Sequence, residues 1–245
     1  MNLIFLRHGL SQWNLENKFT GWVDVPLAKE GIEEATRAKD LLKENSFVPD
    51  VVYTSYLKRA QQTADIVCDI DYIKDWRLNE RHYGSLQGLD KKETASKYGE
   101  EQVFLWRRSY STPPPLLDKD SSENPNTSIM YQDIKEALPL GESLHDVRVR
   151  VEPTLDKIVA STQNNIVLVV AHGNSIRAIL KILENISDDE ISHVNIPTCI
   201  PLVFNISVKA GQRVVKRIGY LGDSEDVLNA TKEVEQQSQI NNKRD

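Results

Sequence analysis

The sequence has few cysteines, no long apolar run and no excess of positive charge. Its two cysteines, Cys68 and Cys199, lack the spacing of a metal site, and we expect them to be ordinary thiols. No apolar run approaches the roughly 20 residues of a membrane-spanning helix. Residues 1–3 do not resemble the start of a signal peptide, so we expect a cytoplasmic protein with no membrane partner. The formal net charge of −6 argues against a broad basic surface for nucleic acid.

Two short apolar runs each end in a histidine followed by a glycine. One is Asn2-Leu-Ile-Phe-Leu-Arg-His8-Gly9, and the other is Asn165-Ile-Val-Leu-Val-Val-Ala-His172-Gly173. Short runs rich in Ile, Leu and Val are typical of strands buried on both faces of a parallel sheet. The loops at the carboxyl edge of such a sheet form its ligand crevice, so we expect the two histidines to meet there.

The remaining pattern predicts a single-domain α/β fold with a doubly wound, mostly parallel sheet flanked by helices. Helices are expected over 27–45, 57–70, 90–98, 100–110, 143–161 and 175–183. Further strands are expected over 50–54, 201–208 and 213–220, the last two joined by a turn near Ala210-Gly211. Residues 76–89 are interpreted as an active-site loop, and the proline-rich residues 111–137 as a lid-like excursion or a disordered segment. We expect one catalytic domain over 1–225 and a polar tail over 226–245 that frays.

The first of the two strand ends carries residues suited to phosphoryl transfer. A neutral imidazole at His8 can attack phosphorus and become phosphohistidine, while the guanidinium of Arg7 holds phosphoryl oxygens. Such chemistry needs no metal, because arginines and a second imidazole can neutralise the transferring group. Arg-His-Gly alone is weak evidence, since a strand-end histidine is often only structural; its pairing with His172-Gly173-Asn174 favours the functional interpretation.

Other candidate residues lie in the loops that follow. Glu80 lies among cations and can serve as a general acid, although a solvated Glu80–Arg81 ion pair is the alternative. Arg59 follows the second strand, where the turn should again face the crevice. Arg107 and Arg108 are either a solvated helix face or a clamp for an anionic group.

Several longer motifs extend this pattern over nearly the full chain. They are Leu6-Arg-His-Gly-Leu-Ser-Gln-Trp-Asn14, Phe19-Thr-Gly-Trp-Val-Asp24, Tyr53-Thr-Ser-Tyr-Leu-Lys-Arg-Ala60, Trp76-Arg-Leu-Asn-Glu-Arg-His-Tyr-Gly84, Tyr98-Gly-Glu-Glu-Gln102, Trp106-Arg-Arg-Ser-Tyr110, Thr112-Pro-Pro-Pro115, Glu142-Ser-Leu144, Ala171-His-Gly-Asn-Ser175 and Leu221-Gly-Asp223. With them the sequence resembles the cofactor-dependent phosphoglycerate mutases of the histidine phosphatase superfamily. The motifs around Glu80, Trp106 and Thr112 are the ones most particular to the mutases.

The resemblance implies an enzyme that interconverts 3-phosphoglycerate and 2-phosphoglycerate through phosphohistidine at His8 and a 2,3-bisphosphoglycerate intermediate. It implies 2,3-bisphosphoglycerate as the phosphoryl primer, no metal, and small phosphorylated metabolites as partners. The implied catalytic residues are His8, Glu80, His172, Arg7 and Arg59. Arg7, Arg59 and Glu80 would also contact substrate, together with Ser11, Asn14, Thr20, Gly21, Arg81, Tyr83, Lys91, Arg107, Arg108, Gly173 and Asn174.

Three departures from the family pattern bear on these expectations. Leu10 stands where the family usually has Glu or Gln, which removes a polar group beside the nucleophile. The chain is shorter between Ile66 and Trp76, a region that the family uses for subunit contacts in its homodimer, and the excursion over 111–137 is also shortened. Two alternative functions therefore stay open: a phosphatase of the same superfamily, and a catalytically weak protein that binds phosphorylated ligands.

Overall fold

The computed structural model describes residues 2–209 and 212–236. Its strands are β1 (Asn2–Arg7), β2 (Val51–Thr54), β3 (Tyr72–Lys74), β4 (Val167–Ala171), β5 (Leu202–Lys209) and β6 (Gln212–Tyr220). Its α-helices are α1 (Gln12–Leu15), α2 (Lys29–Glu44), α3 (Lys58–Val67), α4 (Lys91–Tyr98), α5 (Glu100–Arg108), α6 (Leu144–Ser161), α7 (Gly173–Glu184) and α8 (Ser224–Gln236).

The strands form one mixed sheet in the order β3-β2-β4-β1-β5-β6. β3, β2, β4 and β1 are parallel to one another, β5 pairs antiparallel with β1, and β6 pairs antiparallel with β5. The register of β1 and β4 pairs Arg7 with Ala171, so both strands end at the same level. The predicted α/β fold with a mostly parallel sheet is confirmed.

Helices cover both faces of the sheet because the apolar residues of β1 and β4 alternate between two cores. Leu3 and Phe5 pack with α6 and α7 on one face. Ile4 and Leu6 pack with α2 and α3 on the other. All five residues of β4 are buried, as expected for a strand between two helical layers.

The long connection between β3 and α6 lies beyond the carboxyl edge of the sheet. It contains α4, α5 and short 3₁₀ turns, two of which, at Trp76–Leu78 and Gly84–Leu86, fall in the predicted loop over 76–89. The proline-rich excursion packs into the molecule, since Tyr131 is buried in a cluster with Trp22 and Trp76. The interpretation of this excursion as disordered is therefore wrong.

Three local features differ from the prediction. The short helix α1 and the three-residue edge strand β3 were not predicted, because such short elements carry too little periodic pattern. The tail was expected to fray from Asp226, but Ser224–Gln236 forms α8. Glu225 and Asp226 lie in the first turn of α8, where acidic residues stabilise a helix. The predicted turn at Ala210-Gly211 and the tail residues 237–245 lie outside the described residues.

No helix within the part of the chain described above is long and apolar enough to cross a bilayer.

Candidate active site

The two histidines meet where β1 and β4 end. The centroids of the His8 and His172 rings lie 4.9 Å apart. The His8 N–H donates to the carbonyl of Ala171 (3.0 Å), which continues the β1–β4 ladder up to the site. His172 is the N-cap of α7, and its backbone N–H donates to Ser175 Oγ (3.1 Å). The sheet register thus brings together residues that are far apart in the chain.

The tautomer of His8 leaves its outer nitrogen available as a nucleophile. Nδ1 lies 2.7 Å from the Gly9 carbonyl oxygen, which can only accept, so Nδ1 carries the proton. Nε2 then has a lone pair, which accepts from Nε of Arg59 at 3.3 Å. Burial, followed by the charges of Arg59 and Arg7, holds the pKa of His8 well below its ordinary value. His8 is therefore neutral at physiological pH, as a nucleophilic imidazole must be.

The ring of His172 is held beside His8 by a hydrogen bond at its Nε2. Its Nε2 lies 2.7 Å from Ser55 Oγ, which already accepts from the N–H of Leu57 (3.1 Å). Ser55 Oγ has a proton that it can donate to Nε2, and in that tautomer of His172 the ring proton is on Nδ1. Nδ1 is buried with no hydrogen-bond partner within the described structure. Burial and then the charge of Arg59 lower the pKa of His172 well below its ordinary value.

Two arginines, the half-buried Arg7 and the buried Arg59, flank the histidines. Arg59 donates to the carbonyls of Val23 (3.0 Å) and Gly21 (2.7 Å) besides His8. Arg7 donates from Nη1 to the carbonyl of Ile196 (2.8 Å), and its Nε has no partner in the parts of the chain that are described. These contacts to carbonyls fix both guanidiniums beside His8 while leaving donor capacity for an anion.

Glu80 lies across the cavity from the arginines. Its Oε1 accepts from the backbone N–H groups of Arg81 (2.7 Å) and Asn174 (3.2 Å). A Cβ at Gly173 would lie 3.8 Å from Glu80 Oε2 and 3.6 Å from Arg7 Nε. Glycine at this position keeps the space between the carboxylate and the guanidinium open. A reacting oxygen in that space would have an acid or base within reach.

Cations from α4 and α5 form the outer part of the site. Arg108 donates to the carbonyls of Ser192 (2.8 Å) and Val194 (3.0 Å), which fixes it against the loop after α7. Burial, followed by the charges of Arg107 and Arg7, lowers the pKa of Lys91 to about 7. The whole cavity has an empty volume of about 740 Å³, including the part open to solvent. It is suited to a small anion with more than one negative group.

Comparison with known proteins places this site in a family. The sequence model of the histidine phosphatase superfamily (branch 1) matches residues 3–127 and 119–219. The chain belongs to the histidine phosphatase superfamily. The family resemblance noted from the motifs is thereby confirmed.

Curated relatives within the superfamily are similar over most of their length. A protein of Lachnoclostridium phytofermentans is 47% identical, with 98% of this chain and 99% of the relative covered. A protein of an Arthrobacter species is 52% identical, with 83% and 86% covered. Both relatives are named 2,3-bisphosphoglycerate-dependent phosphoglycerate mutase.

Solved structures of the superfamily share the fold at lower identity. Mycobacterial hydrolase 1 aligns with a TM-score of 0.72 at 21% identity, covering 91% of this chain and 99% of that one. Mycobacterial glucosyl-3-phosphoglycerate phosphatase in complex with VO₃ aligns with a TM-score of 0.71 at 22% identity, with the same coverage. These matches agree with the predicted fold class.

Most of the predicted site residues line the cavity of this superfamily member. They are Arg7, His8, Asn14, Thr20, Gly21, Arg59, Glu80, Tyr83, Lys91, Arg107, Arg108, Gly173 and Asn174. His172 is not among the lining residues, and its ring lies against the ring of His8, which is.

Two predicted contact residues do not line the cavity. Ser11 is fully buried and caps α1, where its Oγ donates to Asn14 Oδ1 (2.8 Å). Arg81 is also fully buried and donates to the hydroxyl of Tyr83 (2.9 Å). Each contacts a residue that lines the cavity. Direct contact of Ser11 and Arg81 with substrate stays a prediction.

Five lining residues were missed from the sequence: Lys18, Phe19, Arg177, Ile196 and Val234. Arg177 is the most informative of them, because it is buried on α7 and donates to Asn174 Oδ1 (2.8 Å) and the carbonyl of Ile191 (2.6 Å). An arginine within the apolar run of α7 was a signal that could have been used. The others had no such signal, since only the fold brings them to the cavity.

Leu10 lies just outside the cavity. Its N–H donates to Glu34 Oε2 (2.8 Å), and its carbonyl accepts from Ala28 N–H (2.9 Å). The backbone of the nucleophile loop is thus held by α2 and its N-cap whatever side chain stands at this position.

No cluster of three His, Cys, Asp or Glu side chains that could hold a metal ion occurs within residues 2–209 and 212–236.

Proposed function

We propose that this protein is a 2,3-bisphosphoglycerate-dependent phosphoglycerate mutase, which interconverts 3-phosphoglycerate and 2-phosphoglycerate. The observation that carries the proposal is the neutral His8, whose Nε2 lone pair lies beside Arg59 in a cavity lined by further cations. The names of relatives that share about half of their residues with this chain support the same activity.

The cavity fits a polyanionic cofactor. Arg7 Nε, Arg177 Nε and Thr20 Oγ1 are buried polar atoms without a hydrogen-bond partner in the described residues, and all three residues line the cavity. Unsatisfied buried donors are costly, so a ligand with several anionic oxygens would compensate for them. 2,3-Bisphosphoglycerate supplies the phosphoryl group that primes the enzyme.

The catalytic residues have separate roles in phosphoryl transfer. Nε2 of His8 attacks phosphorus and forms the N–P bond while the P–O bond to the glycerate oxygen breaks. Glu80, in its protonated form, gives a proton to that departing oxygen. In the reverse step the Glu80 carboxylate takes the proton of the attacking hydroxyl. Arg7, Arg59 and His172 donate to the equatorial phosphoryl oxygens, on which charge is spread during transfer.

The proposal is tested by measuring three activities on one preparation. After incubation with 2,3-bisphosphoglycerate we expect acid-labile phosphate on the protein and conversion of 3- into 2-phosphoglycerate that exceeds release of inorganic phosphate. Omission of the primer should delay or abolish conversion. Phosphate release as the main reaction would indicate a phosphatase, and ligand binding without acid-labile phosphate would indicate a binding protein.

A homodimer through β3 is a further part of the proposal. β3 is an edge strand of the described sheet, and Ile70 and Ile73 beside it are 43% and 50% exposed. Exposed apolar side chains next to an unpaired strand edge favour association with another copy. Light scattering of the wild type and of Ile73→Lys checks this: the wild type should be a dimer and the variant a monomer. A cytoplasmic location stays a prediction, which cell fractionation can test.

A further inference from the structure

We propose that Arg150 and Glu142 are a positioning pair that holds the general acid Glu80 in place, an inference that rests on the proposed function. Arg150 lies on α6, and Glu142 lies just before this helix. Neither residue lines the cavity, and neither is among the catalytic and substrate-contact residues that the family resemblance implies.

The two side chains form a buried, two-point ion pair. Nε of Arg150 donates to Glu142 Oε1 at 2.6 Å, and Nη2 donates to Oε2 at 3.0 Å. The side chains of Arg150 and Glu142 are only 8% and 2% exposed. The guanidinium also lies near the faces of Trp22 and Trp76, 5.7 Å and 5.9 Å from the ring centroids. Its position is therefore fixed on several sides.

Arg150 uses its remaining donors on the backbone that carries Glu80. The two N–H groups of Nη2 are shared among Glu142 Oε2 and the carbonyls of Asn79 (3.0 Å) and Glu80 (2.9 Å), and Nη1 donates to the carbonyl of Arg77. The indole N–H of Trp22 donates to the same Glu80 carbonyl. Three carbonyls within four residues are thus held by one planar group.

Glu142 holds the same segment from its other end. Its Oε2 accepts from the N–H of His82 at 2.8 Å, and its own N–H donates to the His82 carbonyl at 2.9 Å. The pair therefore brackets Glu80, with Arg150 on the residues before it and Glu142 on the residues after it. The Glu80 carboxylate bonds to the N–H groups of Arg81 and Asn174, so a shift of this backbone would move its proton away from the substrate oxygen.

A role in positioning explains why a charged pair is buried here. Removing two charges from water costs about as much as their attraction returns, so such a pair is not retained for stability alone. The rigid fork of an arginine can bond a carboxylate and several carbonyls at once, which a lysine ammonium cannot do. The expected consequence of Arg150→Lys is a displaced Glu80 in a protein that keeps its buried charge.

The test compares two leaving groups that differ in their need for a proton. Departure of an alkoxide from a phosphoglycerate requires a general acid, whereas 2,4-dinitrophenolate leaves from its phosphate ester unprotonated. In both cases His8 Nε2 forms the N–P bond and the ester P–O bond breaks. For Arg150→Lys we expect mutase kcat to fall about 10- to 100-fold, part of the ~10²–10⁴ that general acids contribute. KM should change less than about threefold, because the cavity residues stay in place.

The discriminating readout is the burst, the rapid first release of dinitrophenolate that accompanies phosphorylation of His8. A purely structural defect would slow this burst as well. Its rate constant in Arg150→Lys should stay within about threefold of the wild type, since this step needs no proton from Glu80. Glu142→Gln keeps the size of the side chain but loses its charge. It should also lower mutase kcat while preserving the burst, with a smaller loss of kcat than in Arg150→Lys. Ile158→Val, a fully buried change on the same helix, is the control and should leave both rates unaltered.

Two outcomes would overturn the inference. If Arg150→Lys and Glu142→Gln lose the mutase and the burst in equal proportion, the pair is structural; if both keep full mutase activity, Glu80 does not depend on them. A wild type that gives neither a burst nor acid-labile phosphate would instead refute the proposed function, because His8 would then accept no phosphoryl group.

Discussion

The site has a floor and a wall of different origin. We call Arg7, His8, Arg59 and His172 the floor, and Glu80, Tyr83, Lys91, Arg107 and Arg108 the wall. Arg7 is the last residue of β1, His8 and His172 directly follow β1 and β4, whose register is fixed by the sheet, and Arg59 lies in the first turn of α3. The wall comes from the connection between β3 and α6, which the sheet does not fix.

We expect the floor to determine the type of reaction and the wall to determine which substrate is bound. The floor offers a neutral nucleophile with donors for three phosphoryl oxygens, which suits any phosphate monoester. The wall adds cations beyond those that one phosphoryl group needs, and it adds Glu80, the proposed general acid and base. We therefore expect floor variants to lose the chemical step and variants of the outer wall to lose substrate affinity.

The largest expected effect comes from His8→Ala, which removes the nucleophile of the floor. Conversion of 3-phosphoglycerate should fall by at least roughly 10⁴-fold, the scale on which loss of a covalent nucleophile acts. No acid-labile phosphate should form after incubation with 2,3-bisphosphoglycerate. His145→Ala, which removes an exposed histidine outside the cavity, is the control and should keep wild-type activity. Substantial turnover by His8→Ala would show that the floor does not carry the chemistry.

Glu80→Gln is expected to have the next largest effect. It tests whether a wall residue takes part in the chemical step that occurs at the floor. The amide oxygen can still accept from the N–H groups of Arg81 and Asn174, but the side chain no longer transfers a proton. We expect kcat to fall about 10²- to 10⁴-fold, with KM within about threefold of the wild type. Steady-state kinetics in both directions measures this split. An unchanged kcat would contradict the acid–base role of Glu80.

The floor could be predicted from sequence, and the reason is local. A short apolar run before each His-Gly pair defines a buried strand end, and parallel strands place such ends together. Much of the wall could be listed only because its motifs resemble those of a family. Sequence spacing did not show whether Arg107 and Arg108 form a solvated helix face or a clamp for an anionic group. The contacts of Arg108 with the loop after α7 decide against the solvated alternative.

The residues that were missed depend on tertiary contacts. Val234 and Ile196 reach the cavity from elements far along the chain, and nothing in their neighbours marks them. Arg150 is separated from Glu80 by 70 positions, so its contact with the Glu80 carbonyl follows only from how α6 packs. For Ser11 and Arg81 the motif position does not reveal whether the side chain contacts a ligand or supports a neighbour, and both hydrogen-bond to residues that line the cavity.

A smaller effect is expected from pH acting on Lys91 in the wall. Its pKa of about 7 means that the ammonium is charged below this pH and neutral above it, so affinity for an anionic substrate should weaken as pH rises. KM should rise roughly tenfold between about pH 7 and about pH 8.5 as this proton is lost. In Lys91→Arg the guanidinium stays charged, and KM should be nearly constant over that interval. An equal rise in both proteins would assign the pH dependence to another group.

The smallest effect tests whether α8 belongs to the wall, which would extend the proposed catalytic domain beyond residue 225. Val234 lines the cavity, so Val234→Asp would place a carboxylate against the anionic substrate. We expect KM to rise only about threefold, because a like charge at a partly exposed rim acts with ~0.5–1 kcal/mol. Leu228→Asp makes the same charge change on α8 outside the cavity, at a side chain that is 51% exposed, and should leave KM unchanged. If the two variants behave alike, α8 contributes no surface to the bound substrate, and the wall ends with the segment between β3 and α6.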